Sequence, residues 1–270
     1  MSESDKIFAG SIPDVYDDYL VPLIFEAYAA DMARRLAPAG PSAVLETAAG
    51  SGVVARALAP LLKADARYVV SDLNQPMLDR AARRQGADGR IEWLRADALA
   101  LPFEDESFDA VCCQFGMMFF PDRVAGYREA RRVLRDGGRF VFSVWDRLAE
   151  NHLAASVNAT VARLYPENPS HFMERTPHGY HDTARIAEDL RAAGFADIEI
   201  STVPGESRAE TPRHAAVAFC QGTPLRNELE ARGRVPLDRV TDEAEADLRR
   251  AYGAGPISAK MQAHVVTAVK

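Results

Sequence analysis

Apolar residues return at helical spacing between positions 15 and 36, with Asp14 after Pro13 at the entry and the turn-rich run 37–41 at the exit, which predicts a helix. A short buried strand, Ala43-Val44-Leu45-Glu46, follows. It runs into the glycine-bearing loop Thr47-Ala48-Ala49-Gly50-Ser51-Gly52, and helical periodicity resumes over 53–62. Strand, tight loop and helix form the first unit of a doubly wound sheet. The alternation continues with strands at 67–71, 91–94, 108–113 and 139–145, and with helices at 75–85 and 123–134. Five strands alternating with helices require a parallel sheet, because parallel neighbours need crossover connections.

Beyond Asp146 the pattern loosens. Helices are expected over 151–164 and 183–193, a sixth strand over 197–203, helices over 211–221, 225–232 and 238–252, and a last strand over 262–269. With no repeat and no low-complexity linker, the expectation is one domain over 1–270. Its core spans 42–146, and helical elements over 147–195 and 204–256 lie on the acceptor side.

Composition narrows the class. With 47% hydrophobic and 26% charged residues the chain is ordinary globular material. A net charge of −7 argues against bulk binding to nucleic acid or anionic membranes. Cys112, Cys113 and Cys220 are odd in number, two of them adjacent in an apolar run, as expected of reduced thiols rather than a disulfide framework. No second Cys or His pair lies at zinc-like spacing, so no metal is expected. The first five residues lack the apolar core of a signal peptide, and the run 110–121 is too short to span a bilayer. A cytoplasmic protein, monomeric or homodimeric, is expected.

Four stretches in order carry a resemblance: Val44-Leu45-Glu46-Thr47-Ala48-Ala49-Gly50-Ser51-Gly52; Val70-Ser71-Asp72 running to Leu78; Asp97-Ala98-Leu99-Ala100-Leu101-Pro102-Phe103 running to Asp109; and Glu129 through Gly137-Gly138-Arg139-Phe140. Together they resemble class I S-adenosylmethionine-dependent methyltransferases over residues 42–146, on the branch of the ubiquinone/menaquinone enzymes. The resemblance implies a Rossmann-like α/β fold of seven strands, the last antiparallel, with an N-terminal helix and a helical insertion. It implies S-adenosylmethionine as cofactor, S-adenosylhomocysteine as product and a small-molecule acceptor. The chain departs from the family's loop at Ala48, where the first glycine is expected; alanine disfavours the positive φ that glycine tolerates.

The residues suit that cofactor. A glycine-bearing turn at Gly50 and Gly52, with Thr47 and Ala48, lets the backbone approach closely. Asp72, 22 residues after Gly50, can accept both ribose hydroxyls or simply cap the next helix. Leu73 and Met77 would lie near the adenine, Met77 equally as core. The resemblance puts Asp97 and the Ala98 amide at an adenine edge, and Gln114, Phe115 and Gly116 at the methionine end and methyl-transfer face; Phe119 is also expected among the cofactor-binding residues. Glu46 is expected to receive the cofactor's ammonium, since a buried acid without a cationic partner is costly. Tyr16 and Tyr19 are expected either to close over the cofactor or to pack as core.

Methyl transfer as an in-line displacement needs alignment above all. A base is needed only when the acceptor must lose a proton. His178, His181, His152 and Tyr19 are the candidates, each also readable as a surface or capping residue. Met117-Met118-Phe119-Phe120 follows strand four; facing the pocket it would indicate an apolar or aromatic acceptor, and otherwise it is core. The helical insertion is expected to form an acceptor-binding lid. A nicotinamide-dependent oxidoreductase shares the loop and Asp72 but lacks a Tyr-x-x-x-Lys pair. A non-catalytic S-adenosylmethionine-binding module also stays open. An RNA or protein methyltransferase is disfavoured by the acidic balance and by the absence of an Asn-Pro-Pro-Tyr-type tetrad.

Overall fold

A computed structural model describes residues 10–270; Met1 to Asp5, discussed above for targeting, lie outside the described residues. Seven strands form one sheet in the order β3-β2-β1-β4-β5-β7-β6. They are β1 Ala43–Glu46, β2 Arg67–Asp72, β3 Ile91–Arg95, β4 Phe108–Gln114, β5 Leu134–Trp145, β6 Asp197–Ala209 and β7 Ile257–Val269. The first five are parallel, and β7 runs antiparallel to both β5 and β6. This is the Rossmann-like sheet that the alternation predicts. Strand order reverses between β1 and β4, so a crevice opens at the carboxyl ends of the central strands.

The helix predicted over 15–36 is α1, spanning residues 12–36, and it is not uniform. It is α-helical over Ile12–Val15, π-helical over Tyr16–Phe25 and α-helical again over Glu26–Leu36. Pro22 sits inside the wide stretch. It has no N–H to donate and its ring crowds the preceding turn, and widening the helix relieves both. Asp17 on this stretch is almost fully buried. It accepts hydrogen bonds from Ser51 Oγ (2.8 Å) and Arg56 (3.2 Å), and pairs with Arg80 (2.9 Å) and Arg84 (3.0 Å). These contacts fasten α1 to the glycine loop, to α2 (Val53–Leu58) and to α3 (Gln75–Gln85).

The remaining helices are α4 Arg123–Val133, α5 His152–Leu164, α6 Phe172–Arg175, α7 Thr183–Ala192, α8 Pro212–Gln221, α9 Leu225–Arg232 and α10 Leu237–Tyr252. α10 packs on α5 and α8, and α8 packs on the π-helical stretch of α1. Three strand boundaries differ by several residues from expectation, the first being that of β5, which begins at Leu134 rather than at 139. β6 continues six residues past Val203, through Pro204 and Gly205, and β7 begins earlier to pair with it. Proline is tolerated there because β6 is an edge strand whose outward side needs no donor. The resulting long hairpin reaches over the carboxyl edge of the sheet.

Candidate functional site

One cavity of about 230 Å³ opens at that edge, between the strand ends and a cover made of α1, α5, α6, α8 and the β6 extension. Its first half is built from strand ends. Asp72, the last residue of β2, is buried and lines the cavity. One carboxylate oxygen accepts the Gly50 N–H (2.8 Å) and the other accepts the Asn74 N–H (2.7 Å). Burial raises its pKa, against the lowering effect of these donors. Oδ1 also accepts from Asn74 Nδ2 (3.3 Å), whereas Oδ2, with the Gly50 N–H as its one donor, keeps a lone pair for a ligand hydroxyl. Gly50 (φ +56°), Leu73, Met77, Ala96, Asp97 and Ala98 complete this wall. Asp97 folds its carboxylate back onto the Leu99 N–H (2.9 Å).

The glycine loop confirms the cost anticipated at Ala48, whose φ is +51°. Its methyl group is accommodated by Gly116: a Cβ there would lie 2.5 Å from Ala48 Cβ and 2.6 Å from Cys113 Sγ. Two loops thus approach so closely that only one of them can carry a side chain. Between them Gln114 donates through Nε2 to the Phe25 carbonyl (3.3 Å), and its buried Oε1 has no partner among the described residues. A buried acceptor without a donor is costly, so a ligand N–H is the natural complement. Next to it Phe115, at φ +53°, stacks on Trp145 with ring centroids 3.9 Å apart.

Not every expected residue reaches the cavity. Ala48, Gly50, Asp72, Leu73, Met77, Asp97, Ala98, Gln114, Phe115 and Phe119 line it, whereas Glu46, Thr47, Gly52 and Tyr19 do not. Glu46 is fully buried behind the wall and accepts a hydrogen bond from Tyr68; burial pushes its pKa up to about 8, against the lowering effects of Tyr68 and Arg56. Thr47 Oγ1 turns to the Cys112 carbonyl. Gly52 packs against α3, where a Cβ would come within 2.9 Å of Ala81 Cβ. Tyr19 faces outward and its ring lies against His214 (5.0 Å); one turn back, Tyr16 lines the cavity instead.

The second half of the cavity is apolar. Leu20 and Phe25 of α1, Met118 and Phe119, Leu153 of α5, Phe172 and Met173 of α6, and Phe219 of α8 face it. Of the imidazole candidates only His178 lines it; His152 is exposed at the start of α5, and His181 bonds through Nδ1 to the His178 carbonyl (2.8 Å). His171, on the preceding turn, pairs with Glu174. The cap of α7 is Asp182, whose side chain accepts the Ala184 and Arg185 N–H groups. Phe219, Thr223 and Ser207 were not anticipated, for they belong to no motif. Trp145 could have been found, because it ends a central strand at the carboxyl edge. Among the described residues no group of three or more His, Cys, Asp or Glu could hold a metal, and no helix is long and apolar enough to cross a membrane.

Comparison with known proteins agrees with this geometry. Residues 45–142 match the family described as a methyltransferase domain. A demethylmenaquinone methyltransferase of Clavibacter sepedonicus is 33% identical over 175 residues, covering 62% of this chain and 70% of that protein. A ubiquinone/menaquinone biosynthesis C-methyltransferase of Caulobacter vibrioides is 26% identical over 71% of this chain and 82% of its own length. Phosphoethanolamine N-methyltransferase 2 of Haemonchus contortus, solved with S-adenosyl-L-methionine, superposes with a TM-score of 0.62 at 18% identity, over 100% of this chain and 60% of that one; this likeness speaks for the fold alone.

Proposed function

The chain belongs to the class I S-adenosylmethionine-dependent methyltransferases related to the demethylmenaquinone and ubiquinone/menaquinone enzymes, and on that premise we propose that it methylates a small aromatic acceptor held in the apolar half of its cavity. The observation that carries this reading is the continuity of one cavity. It runs from the Asp72 carboxylate to a chamber walled by Phe119, Phe172, Met173 and Phe219.

The cofactor fits the residues present. Asp72 would accept the ribose hydroxyls, Ala98 and Asp97 would flank the adenine, and the unpartnered Gln114 Oε1 would accept the α-ammonium. When bound, S-adenosylmethionine supplies a methyl group on a sulfonium, which leaves as a neutral thioether. The residues of the chain then bind, orient and exclude water. Tyr16, its phenol pKa raised by burial and by Asp72, stays protonated and covers the glycine loop. The stacked Phe115 and Trp145 make a rigid floor where the two halves meet. Holding the acceptor in line with the methyl group contributes on the order of 7–11 kcal/mol of barrier reduction in well-oriented systems.

The names of the relatives support a quinone-type ring as acceptor and carbon as the methylated atom. Three buried free thiols suit a reducing, cytoplasmic compartment. The test is release of S-adenosylhomocysteine from S-adenosylmethionine with 1,4-naphthohydroquinone, simple phenols and alkylamines as acceptors. Turnover with the aromatic hydroxyl compounds is expected. Turnover confined to alkylamines would overturn the aromatic-acceptor reading.

A further inference from the structure

The apolar half of the cavity contains one side chain equipped to move a proton. His178 is 5% exposed, and its imidazole lies 6.2 Å from the Trp145 ring, centroid to centroid. Three bonds fix it. Its N–H donates to the Met173 carbonyl (2.9 Å), its carbonyl accepts from His181 Nδ1 (2.8 Å), and its own Nδ1 meets the Asp146 carbonyl at 2.8 Å. A carbonyl only accepts, so Nδ1 carries the hydrogen and Nε2 is left as a bare lone pair. His178 lines the cavity, and its Nε2 makes no hydrogen bond among the described residues.

We propose that His178 is a catalytic residue whose Nε2 takes the proton of an acceptor hydroxyl, so that the site selects acceptors with an ionisable O–H conjugated to the atom methylated. The proposal rests on the aromatic-acceptor reading above. In this step the O–H bond breaks and an Nε2–H bond forms. The electron pair stays with the acceptor, on oxygen or delocalised to the ring carbon, and attacks the methyl carbon as its bond to sulfur breaks. The proton leaves His178 to solvent after turnover. Burial pushes the imidazole down to about 4, helped by His181 and opposed by the Asp146 carbonyl and carboxylate; the latter also faces His264 (3.3 Å). The lone pair is therefore available throughout the neutral range.

The test uses the full chain saturated with S-adenosylhomocysteine. Fluorescence titration with 2-naphthol and naphthalene should give wild type an approximately tenfold preference for the phenol, falling to about twofold or less in His178→Phe. His178→Gln can still accept a hydrogen bond but is not a base. It should keep the preference while kcat with 1,4-naphthohydroquinone falls at least about tenfold at pH 7 and recovers as pH rises toward the acceptor's own pKa. An equal affinity of wild type for both probes, or a His178→Gln profile parallel to that of wild type, would overturn the role of His178 and leave the aromatic reading standing. Failure of both probes to bind, with S-adenosylhomocysteine still bound, would overturn the reading itself.

Discussion

The two halves of the cavity are built by different means. Toward Asp72 the wall is largely backbone and small residues, Gly50, Ala48 and Ala98 among them, and the carboxylates of Asp72 and Asp97 are held by N–H groups of nearby residues. Toward His178 the wall is side chain, contributed by α1, α5, α6, α8 and the β6 extension. A cofactor shared by a whole class needs main chain at fixed distances, which the central sheet supplies. An acceptor that differs between relatives needs exchangeable side chains, which the cover supplies. Substitutions in the first half should therefore abolish binding of the cofactor, and those in the second should redirect the acceptor.

The largest expected effect separates two acids at the ends of neighbouring strands, one on the cavity wall and one behind it. Glu46 has its pKa raised from 4.5 to about 8 by burial. A raised carboxyl pKa stabilises the fold fully below the unfolded value and loses that contribution as pH rises through the folded one. Glu46→Gln should thus match wild type near pH 4.5 and gain on it by at most about 1.4 kcal/mol per pH unit up to about pH 8, measured by denaturant unfolding. A gap that does not change with pH would mean that Glu46 is charged in the folded protein. Asp72→Ala, on the wall, should weaken S-adenosylhomocysteine binding at least about hundredfold by calorimetry, from the loss of charge-assisted hydrogen bonds.

The first half was legible in the sequence because backbone geometry leaves residue-type signatures. The strand running into Gly50 and Gly52, the Asp at the end of β2 and the run after Asp97 each demand particular residues at particular offsets. What the spacing did not reveal is which side chain turns inward. Glu46 and Asp72 both end buried strands, and only packing shows that Tyr68 claims Glu46. Tyr16 reaches the cavity and Tyr19 does not, because the π-helical stretch around Pro22 departs from the 3.6-residue period assumed in reading the helix. The second half left no motif: Phe172, Ser207 and Phe219 meet only through tertiary packing, each ordinary in its own element.

A smaller effect tests the close approach of the two loops at the foot of the cavity. Gly116→Ala drives a methyl group into Ala48 and Cys113 and should destabilise the fold by about 1–3 kcal/mol, read from thermal unfolding. Pairing it with Ala48→Gly should recover part of that loss, since one of the two clashes goes and the left-handed φ suits glycine, while Cys113 remains in the way. Strict additivity of the two substitutions would mean that the loops do not share this space.

The smallest effect bears on α1, the element that spans both halves. Tyr16 lies over the glycine loop, its hydroxyl 3.6 Å from where a Gly50 Cβ would stand, whereas Tyr19 is 38% exposed and leans on His214. Tyr16→Ala uncovers the cofactor end and should weaken S-adenosylhomocysteine binding about tenfold, the scale of one buried aromatic contact. Tyr19→Ala should leave that affinity within about twofold, because the side chain it removes is at the surface. The two residues are three apart, so a regular α-helix would present both to the same side. Equal losses at both positions would mean that the helix turns in solution as the simple period predicts, and that the wide stretch around Pro22 does not decide which tyrosine closes the site.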